Sequence, residues 1–414
     1  VDEQGFYSSG DADFSNFVAV GNSLTAGYAD GALYLNGQQN SFPSMLAIQF
    51  KHVGGGDFTQ PLVNDNFGGL LANGNQITDN RRVIVLGTDG SQTPEILDGT
   101  PTTDISNVLE GPFNNMGVPC SKIFHLVANG YGNIANLELG AANPYFVRMA
   151  STTDASIIED AASQNPTFFS LWIGNNDILS YATSGGIGVD QSGNLDPTTY
   201  GENDITDPNV FAKVYNDLLT ALTNGGAKGV VANIPNVTTI PYFTTVPYNA
   251  LDPTNPEFSA QIPMLNTIYG MLNQVFTALG APERSIVFYQ NKASSVVIKD
   301  EDLTDLSAQI SQILANNPQF AGFVQSLGLP SQATPIVANL LGSTYGQARQ
   351  ATSNDLLVLT SSSIIGETNT NISAALQQQG LPEEIADQFS AEGITLPLED
   401  KWVLTPEEQA SIST

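Results

Sequence analysis

The stretch "FVAVGNSLTAGY", residues 17–28, joins an apolar run to a polar turn that carries a serine. The apolar residues 17–20 stop at Gly21, and Ser23 follows after Asn22. A short apolar run that ends at glycine is typical of a buried strand. We therefore predict a β-strand followed by a helix, with Ser23 at the turn between them. The alternative is an ordinary turn in which Ser23 or Asn22 only caps the helix.

Two further apolar runs have the composition of strands that are buried on both faces of a sheet. They are "TFFSLWIGNND", residues 167–177, and "AKGVVANIP", residues 227–235. Between them, residues 210–226 predict a helix whose apolar face carries Phe211, Val214, Leu218 and Leu222. Strands that alternate with helices in this way predict an α/β fold, a three-layer sandwich with a parallel sheet between layers of helices.

The chain divides by composition into three parts. Residues 1–16 indicate a flexible acidic segment, residues 17–240 the α/β core, and residues 241–414 a mostly helical insertion or cap. In this last part we predict helices near 262–279, 302–316 and 371–389, and candidate strands at 284–290 and 355–366. The sequence Thr405-Pro-Glu-Glu is a capping box with proline at the first helical position, so we also predict a helix that is unfinished at Thr414.

The charge balance restricts the partners that the chain can bind. Its 41 acidic and 12 basic residues give a net charge of −29, which repels phosphate backbones and anionic membranes and argues against a nucleic-acid partner. One cysteine excludes an internal disulfide, and with two histidines it makes a metal site improbable, so we expect no metal and no cofactor. No apolar run approaches the roughly 18 residues of a transmembrane helix. The N-terminal residues lack the basic and apolar regions of a signal peptide, and we expect a processed or trimmed chain.

Polar residues follow three of the predicted strands. Ser23 follows the first, "IGNND" at 173–177 ends another, and "NNMGVPCSKIFH" at 114–125 turns from a strand end into a helix. The carboxyl ends of parallel strands meet at one edge of a sheet, where open α/β sheets bind ligands. A helix that starts at Ser23 would offer backbone N–H groups and its positive dipole end to an oxyanion. The alternative is that residues 173–177 form a common polar turn.

Together these three segments resemble the sequence blocks of the SGNH (GDSL-type) hydrolase family. Gly21-Asn22-Ser23-Leu24 matches the Gly-Asp-Ser-Leu block, with asparagine in place of aspartate. Gly174-Asn175-Asn176-Asp177 matches the Gly-x-Asn-Asp block without change. Asn115, Gly117 and Cys120 occupy the positions of the second block, in which Cys120 replaces a glycine. The resemblance covers about the first 240 residues and implies a flavodoxin-like sheet.

The resemblance implies a serine hydrolase that cleaves carboxylic esters of lipids, acyl chains or O-acetylated carbohydrates. Ser23 would be the nucleophile and would form an acyl-enzyme. The oxyanion hole would comprise the N–H groups of Ser23 and Cys120 and the side-chain amide of Asn176, while Gly174 and Asp177 complete the third block. The alternative is a surface protein that binds a glycan or lipid in the same cleft without catalysis. Larger bacterial members carry such insertions and many are exported, so we expect a periplasmic, surface-anchored or secreted protein of undetermined oligomeric state.

A serine nucleophile needs a general base, and the family's base is a histidine in a C-terminal Asp-x-x-His block. No histidine follows His125. The segment most similar to Asp-x-x-His is Glu-Gly-Ile-Thr at residues 392–395, which has threonine in place of histidine. We consider three explanations: the block follows Thr414 in a longer chain, His125 or Lys122 is an unusual base, or the protein is a non-catalytic binder.

Overall fold

The computed structural model describes residues 7–87, 90 and 92–413, which divide into two compact units. The first unit contains the described residues up to Ile178, together with Gln191–Tyr200 and Thr206–Pro235. The second contains Leu179–Asp190, Gly201–Ile205 and the described residues from Asn236 onward. The predicted division at residue 240 lies near the change from Pro235 to Asn236, although two short segments before it belong to the second unit. Residues 1–6 of the predicted N-terminal segment lie outside the described residues, and residues 7–16 contain turns and irregular backbone.

The first half of the chain contains both helices and strands, with six strands following one another between residues 70 and 117, and helices predominate in the second half. The strands are β1 (Phe17–Gly21), β2 (Leu70–Ala72), β3 (Asn75–Gln76), β4 (Arg82–Leu86), β5 (Gln92–Ile96), β6 (Thr103–Asp104), β7 (Asn115–Gly117), β8 (Phe168–Trp172), β9 (Lys228–Val231), β10 (Val297–Lys299), β11 (Ala348–Gln350), β12 (Leu356–Leu357) and β13 (Val403–Leu404). The α-helices are α1 (Ser23–Ala26), α2 (Leu35–Gln39), α3 (Phe42–Phe50), α4 (Pro144–Val147), α5 (Ile157–Ser163), α6 (Asn176–Thr183), α7 (Pro208–Thr223), α8 (Pro241–Thr244), α9 (Pro256–Ala278), α10 (Ser307–Ala315), α11 (Pro318–Ser326), α12 (Thr334–Tyr345), α13 (Thr370–Gln378), α14 (Glu383–Gln388) and α15 (Pro406–Ile412).

A four-stranded parallel sheet forms the centre of the first unit, in the order β7-β1-β8-β9. All five residues of β1 are buried, because β1 lies between β7 and β8 and its side chains pack on both faces of the sheet. The mixed α/β fold and the parallel sheet agree with the sequence prediction.

Helix α7 shows how the sequence positions an element against this sheet. Pro208 occupies the first turn, where its missing N–H costs nothing, and the Asp207 side chain accepts hydrogen bonds from the next two backbone N–H groups. The buried face of α7 repeats every four residues and comprises Val210, Val214, Leu218 and Leu222. Val210 therefore takes the place that we predicted for Phe211, which is only partly buried.

The prediction that β9 is a buried strand is wrong. All four of its residues are exposed, including the apolar Val230 and Val231. The strand is present and pairs with β8, but it is the edge strand of the described sheet. An apolar run therefore predicted the strand correctly, but not whether neighbouring segments cover it.

The second unit has its own hydrophobic core, in which the long helix α9 contributes many buried residues. The candidate strand at 284–290 is not a strand. Instead, the side-chain amide of Asn266 in α9 bonds both the N–H and the C=O of Phe288. The amide of Asn273 bonds the same two groups of Ile286, and all four distances are 2.8–3.0 Å. These amides satisfy the backbone groups that a sheet ladder would otherwise satisfy.

Two other predictions for this unit also require correction. The predicted helix at 371–389 is divided into α13 and α14 by Gly380, which has a positive φ of 97°, and by Pro382. The run at 355–366 contains only the two-residue strand β12, followed by a short 3-10 helix. The predicted capping box at Thr405 is confirmed, because its side chain and that of Glu408 bond each other's backbone N–H at the start of α15.

Among the helices of the described residues, none has the length and apolar character required to cross a membrane.

Candidate functional site

The carboxyl ends of three adjacent strands bring the predicted site segments together within the first unit. Gly21, the last residue of β1, is in register with Gly117 of β7 on one side and with Trp172 of β8 on the other. The segments that follow these residues carry Ser23, Cys120 and Asn176. The parallel register thus places the three sequence blocks side by side at one edge of the sheet.

Asn22, rather than Ser23, caps the helix that follows β1. The buried side chain of Asn22 accepts a hydrogen bond from the N–H of Leu24 at 3.2 Å, so Ser23 is the first residue of α1. Helix α1 has only four residues and ends at Gly27. A helix of one turn has little macrodipole, contrary to our expectation, and stabilisation of an oxyanion here depends on individual N–H donors.

The segment after β7 presents a backbone donor to Ser23. The N–H of Cys120 donates a hydrogen bond to Ser23 Oγ at 3.1 Å. Cys120 is exposed and has a left-handed backbone with a φ of 63°, which glycine adopts more readily than residues with a side chain. A glycine at this position of the family block would have this conformation without strain, and Cys120 adopts it at some energetic cost.

Helix α1 approaches β7 closely because Gly117 has no side chain. A Cβ atom at Gly117 would lie 2.3 Å from the backbone nitrogen of Ala26. The buried amide of Asn115 donates to the carbonyl of Thr25 at 3.0 Å, and its oxygen accepts from the N–H of Gly117. These two residues of the second block therefore join β7 to the helix that carries Ser23.

Asn176 and Asp177 hold the segment that follows Cys120. The Asn176 side chain donates to the carbonyl of Ser121 at 3.0 Å. The Asp177 carboxylate is buried and accepts from the N–H of Ile123 at 3.0 Å and from the Thr206 hydroxyl at 2.7 Å. Burial raises the pKa of Asp177 to about 7, against the opposing effect of these hydrogen bonds and of the Lys122 charge. In this structure, both side chains bind the loop of the second block and thus position Cys120.

Gly174 allows the turn that leads to these two residues. Its φ is 114°, and a Cβ atom would lie 2.5 Å from the Ile234 side chain and 2.9 Å from that of Phe211. The third block therefore requires glycine at this position for both conformation and space.

His125 caps the short 3-10 helix Ile123–Val127 in which it lies. Its Nδ1 accepts a hydrogen bond from the N–H of Lys122 at 3.0 Å, and its ring stacks on Tyr131 with the ring centroids 4.6 Å apart. Burial, and then the neighbouring Lys122 charge, lower the pKa of His125 to about 4. Because Nδ1 already accepts this hydrogen bond and the lowered pKa makes the imidazole a weak base at neutral pH, both observations disfavour the catalytic role considered for His125.

Other groups around the site were not found by sequence reasoning. Tyr28 lies five residues after Ser23, and its ring packs edge-on against Tyr145, with the centroids 6.1 Å apart. Burial raises the pKa of both phenols, and the nearby Cys120 raises them further.

Thr206, which binds Asp177, immediately precedes the cap of α7. In the sequence, Thr206 could be recognised only as the residue before the Asp207-Pro208 start of that helix.

A separate cavity of about 670 Å³ lies in the same unit, and none of the candidate residues lines it. Its apolar wall includes Phe113, Met116 and Met149, and its polar lining includes Asp160 and Gln164. Ser23 and Cys120 are therefore not part of this cavity.

No cluster of three or more histidine, cysteine, aspartate or glutamate side chains among the described residues is arranged to hold a metal ion. Comparisons of the chain with protein-family models, with curated proteins and with solved structures found no match. Functional assignment therefore depends on the residues and geometry of the site itself.

Proposed function

We propose that this protein is an SGNH-type serine hydrolase that cleaves carboxylic esters through an acyl-enzyme on Ser23. The hydrogen bond from the Cys120 N–H to Ser23 Oγ carries the proposal, because it places a backbone donor beside the nucleophile at the carboxyl edge of a parallel sheet. The three sequence blocks, in the order of the family, support the same assignment. The proposed fold is the three-layer, flavodoxin-like sandwich of that family.

In the proposed reaction, Ser23 Oγ attacks the ester carbonyl carbon and loses its proton to a base. The N–H of Cys120 then donates to the developing oxyanion. The Asn176 amide, which now binds the Ser121 carbonyl at 3.0 Å, would turn to become a second donor. The tetrahedral intermediate collapses, the alcohol leaves with the proton, and water releases the acid from Ser23. One such donor typically contributes on the order of 100- to 1000-fold to the rate.

The proton acceptor of the proposed mechanism is not identified by the hydrogen-bond and ring contacts of the two histidines, which involve other residues than Ser23. His52 lies in the 3-10 helix Lys51–Val53, close to Tyr7, and His125 is engaged as a cap. Lys122 is buried next to His125 and Asp177, and its charge stabilises the Asp177 carboxylate. We therefore propose that the base is neither histidine of this chain.

The exposed edge of the sheet offers a place for a segment that carries the base. Parallel pairing with β9 would add a strand that ends at the same edge as Ser23. Such a strand would bond the backbone edge of β9, whereas Val230 and Val231 point to opposite faces of the sheet and would be covered only by segments packed on those faces.

Hydrolysis of p-nitrophenyl acetate by the 414-residue chain tests this function. We expect Ser23→Ala to abolish the rate above background, and Ser8→Ala, which changes an exposed serine, to leave it unchanged. Added imidazole should increase the Ser23-dependent rate, because imidazole can act as a general base at neutral pH. Equal rates for wild type and Ser23→Ala, with and without imidazole, would refute the nucleophile. Binding of a lipid or glycan without turnover would then favour the non-catalytic alternative.

A further inference from the structure

A two-stranded hairpin in the first unit exposes a strip of aliphatic side chains to solvent. It consists of β4 and β5, which pair in an antiparallel manner. Ile84 is 62 % exposed, Leu86 is 68 % exposed and Ile96 is 46 % exposed. An isolated pair of strands is marginally stable in water, and exposed apolar strands favour association with another surface. We propose that this hairpin is a lipid-binding element that inserts its aliphatic strip into a zwitterionic lipid layer.

The pairing register places Ile84, Leu86 and Ile96 on one face of the hairpin, whereas Val83 and Val85 lie on the other face. Ile84 is opposite Pro94, and Arg82 is opposite Ile96. Since residues two apart on a strand share a face, Leu86 lies on the same face as Ile84 and Arg82. The face therefore has an aliphatic strip with a cation at the base of the hairpin.

Backbone hydrogen bonds join the base of the hairpin to the segment that follows Ser23. The N–H of Arg82 donates to the carbonyl of Asp30 at 2.7 Å. The Arg81 guanidinium lies over the Tyr34 ring, 5.0 Å from its centroid, and the Tyr34 hydroxyl donates to the Asp30 carboxylate. Asp30 is only seven residues from Ser23, and Tyr28 between them donates its N–H to the Ser23 carbonyl. The base of the hairpin is thus hydrogen-bonded to the segment that follows the candidate nucleophile.

Charge distinguishes a lipid layer from other occupants of this face. A net charge of −29 disfavours the approach of a second copy and of an anionic membrane. A zwitterionic layer carries no net charge, and its phosphate groups can accept hydrogen bonds from Arg82 while the aliphatic strip enters the acyl region. A lipid layer without net charge is therefore compatible with the negative charge of the whole protein. Its acyl region also matches the aliphatic side chains of this face.

This inference rests on the proposed function where it concerns substrate. If a hairpin whose base is bonded to the segment after Ser23 binds a lipid layer, it would bring lipid esters toward the nucleophile. It therefore favours lipid esters over O-acetylated carbohydrates as the substrate class. Binding to lipid is nevertheless a property of the hairpin alone and can be measured without turnover.

Flotation of the 414-residue chain with phosphatidylcholine vesicles tests the inference. We expect wild type to float with the vesicles and the double variant Ile84→Ser/Leu86→Ser to bind at least about 10-fold more weakly. The matched control, Leu139→Ser/Leu195→Ser, changes two leucines that are 79 % and 67 % exposed elsewhere in the same unit and should bind like wild type. Circular dichroism of each variant verifies that it is folded.

Several outcomes would overturn the inference. Wild type that does not float, or a hairpin variant that floats as well as wild type, would exclude lipid binding by the hairpin. Self-association without vesicles that disappears in the hairpin variant would identify a second copy as the occupant. Hydrolysis of p-nitrophenyl acetate, a soluble ester, separates the two proposals. A chain that binds vesicles but shows no Ser23-dependent hydrolysis would refute the proposed function alone. A chain that hydrolyses the ester through Ser23 but does not bind vesicles would refute the hairpin inference alone.

Discussion

The backbone N–H of Cys120 donates a hydrogen bond to Ser23 Oγ at 3.1 Å, although the two residues are 97 positions apart in the chain. The contact arises because β7 and β1 are parallel and in register at Gly117 and Gly21. Asp177 then holds the following loop through the N–H of Ile123. The proposed chemistry therefore depends on backbone geometry that single substitutions can alter.

The first prediction concerns the donor at Cys120. Cys120→Gly should retain reaction of Ser23 with a fluorophosphonate probe and raise the free energy of unfolding by about 0.5 kcal/mol, because glycine adopts the left-handed conformation without strain. Cys120→Pro should lose the reaction, since proline lacks the N–H and its φ is restricted to negative values. Probe labelling and chemical denaturation measure the two effects. Equal labelling of the proline and glycine variants would show that this N–H is not required.

The second prediction concerns the close contact between α1 and β7. Gly117→Ala should lower the free energy of unfolding by roughly 2 kcal/mol, because its Cβ would lie 2.3 Å from the Ala26 nitrogen. The shift should also displace Ser23 and slow its labelling. Gly225→Ala is the matched control, since a Cβ at Gly225 meets no atom within 4 Å. Similar stabilities for the two variants would contradict the packing described here.

The third prediction concerns the buried carboxyl group of Asp177. Its pKa is raised to about 7, so the folded state favours the protonated form, and this contribution to stability should be lost as pH rises from about 4 to about 7. Asp177→Asn should flatten that decline and, at pH 5, cost about 1–3 kcal/mol, because the Ile123 and Thr206 donors lose an acceptor oxygen. Fluorescence of Trp172, measured in a Trp402→Phe background, reports unfolding of the first unit.

Asp217→Asn provides the control for this measurement. Asp217 forms a surface pair with Lys213 in α7, and its replacement should leave the pH profile unchanged. An unaltered profile in Asp177→Asn would show that Asp177 does not titrate in this range.

The fourth prediction concerns an acidic cavity of about 530 Å³ in the second unit. Its lining includes Asp400 and Glu408, whose side chains share a hydrogen bond. The pKa of Glu408 is raised to about 8. Burial is the largest cause, and the nearby Asp400 charge raises this pKa further. The stability associated with protonated Glu408 should therefore be lost as pH rises from about 4.5 to about 8.

Glu408→Gln should flatten this decline and raise the melting temperature at pH 9 by a few degrees, on the order of 1 kcal/mol of stabilisation. Glutamine can keep the capping box with Thr405. Glu384→Gln, an exposed residue of α14 that does not line this cavity, is the control and should retain the slope of wild type. Thermal unfolding at pH 5, 7 and 9, followed by Trp402 fluorescence in a Trp172→Phe background, makes the comparison. A slope in Glu408→Gln equal to that of wild type would contradict the assignment.

The sequence predicted the central sheet well because continuous apolar runs, such as residues 168–172, are distinctive of strands covered on both faces. It failed at β9, where a similar run is exposed, because coverage depends on segments that are remote in the chain. It also failed at 284–290, where Asn266 and Asn273 satisfy the backbone instead of a neighbouring strand. Local composition does not encode such distant partners.

The candidate site was predictable to the extent that it follows strand ends. The positions of Ser23, Cys120 and Asn176 at one edge required only the parallel order of the strands. The cap at Asn22 and the engagement of His125 with the Lys122 N–H required atomic geometry, because serine, asparagine and histidine each have several local roles. Thr206 was missed since its contact with Asp177 joins residues 29 positions apart.

The most direct test of the account is to find which residue reacts with a fluorophosphonate probe. We predict one adduct per chain, located on Ser23 by peptide mass spectrometry, formed faster in the presence of imidazole and absent from Ser23→Ala. An adduct on another residue, or no adduct on Ser23 with or without imidazole, would contradict the claim that Ser23 is a nucleophile.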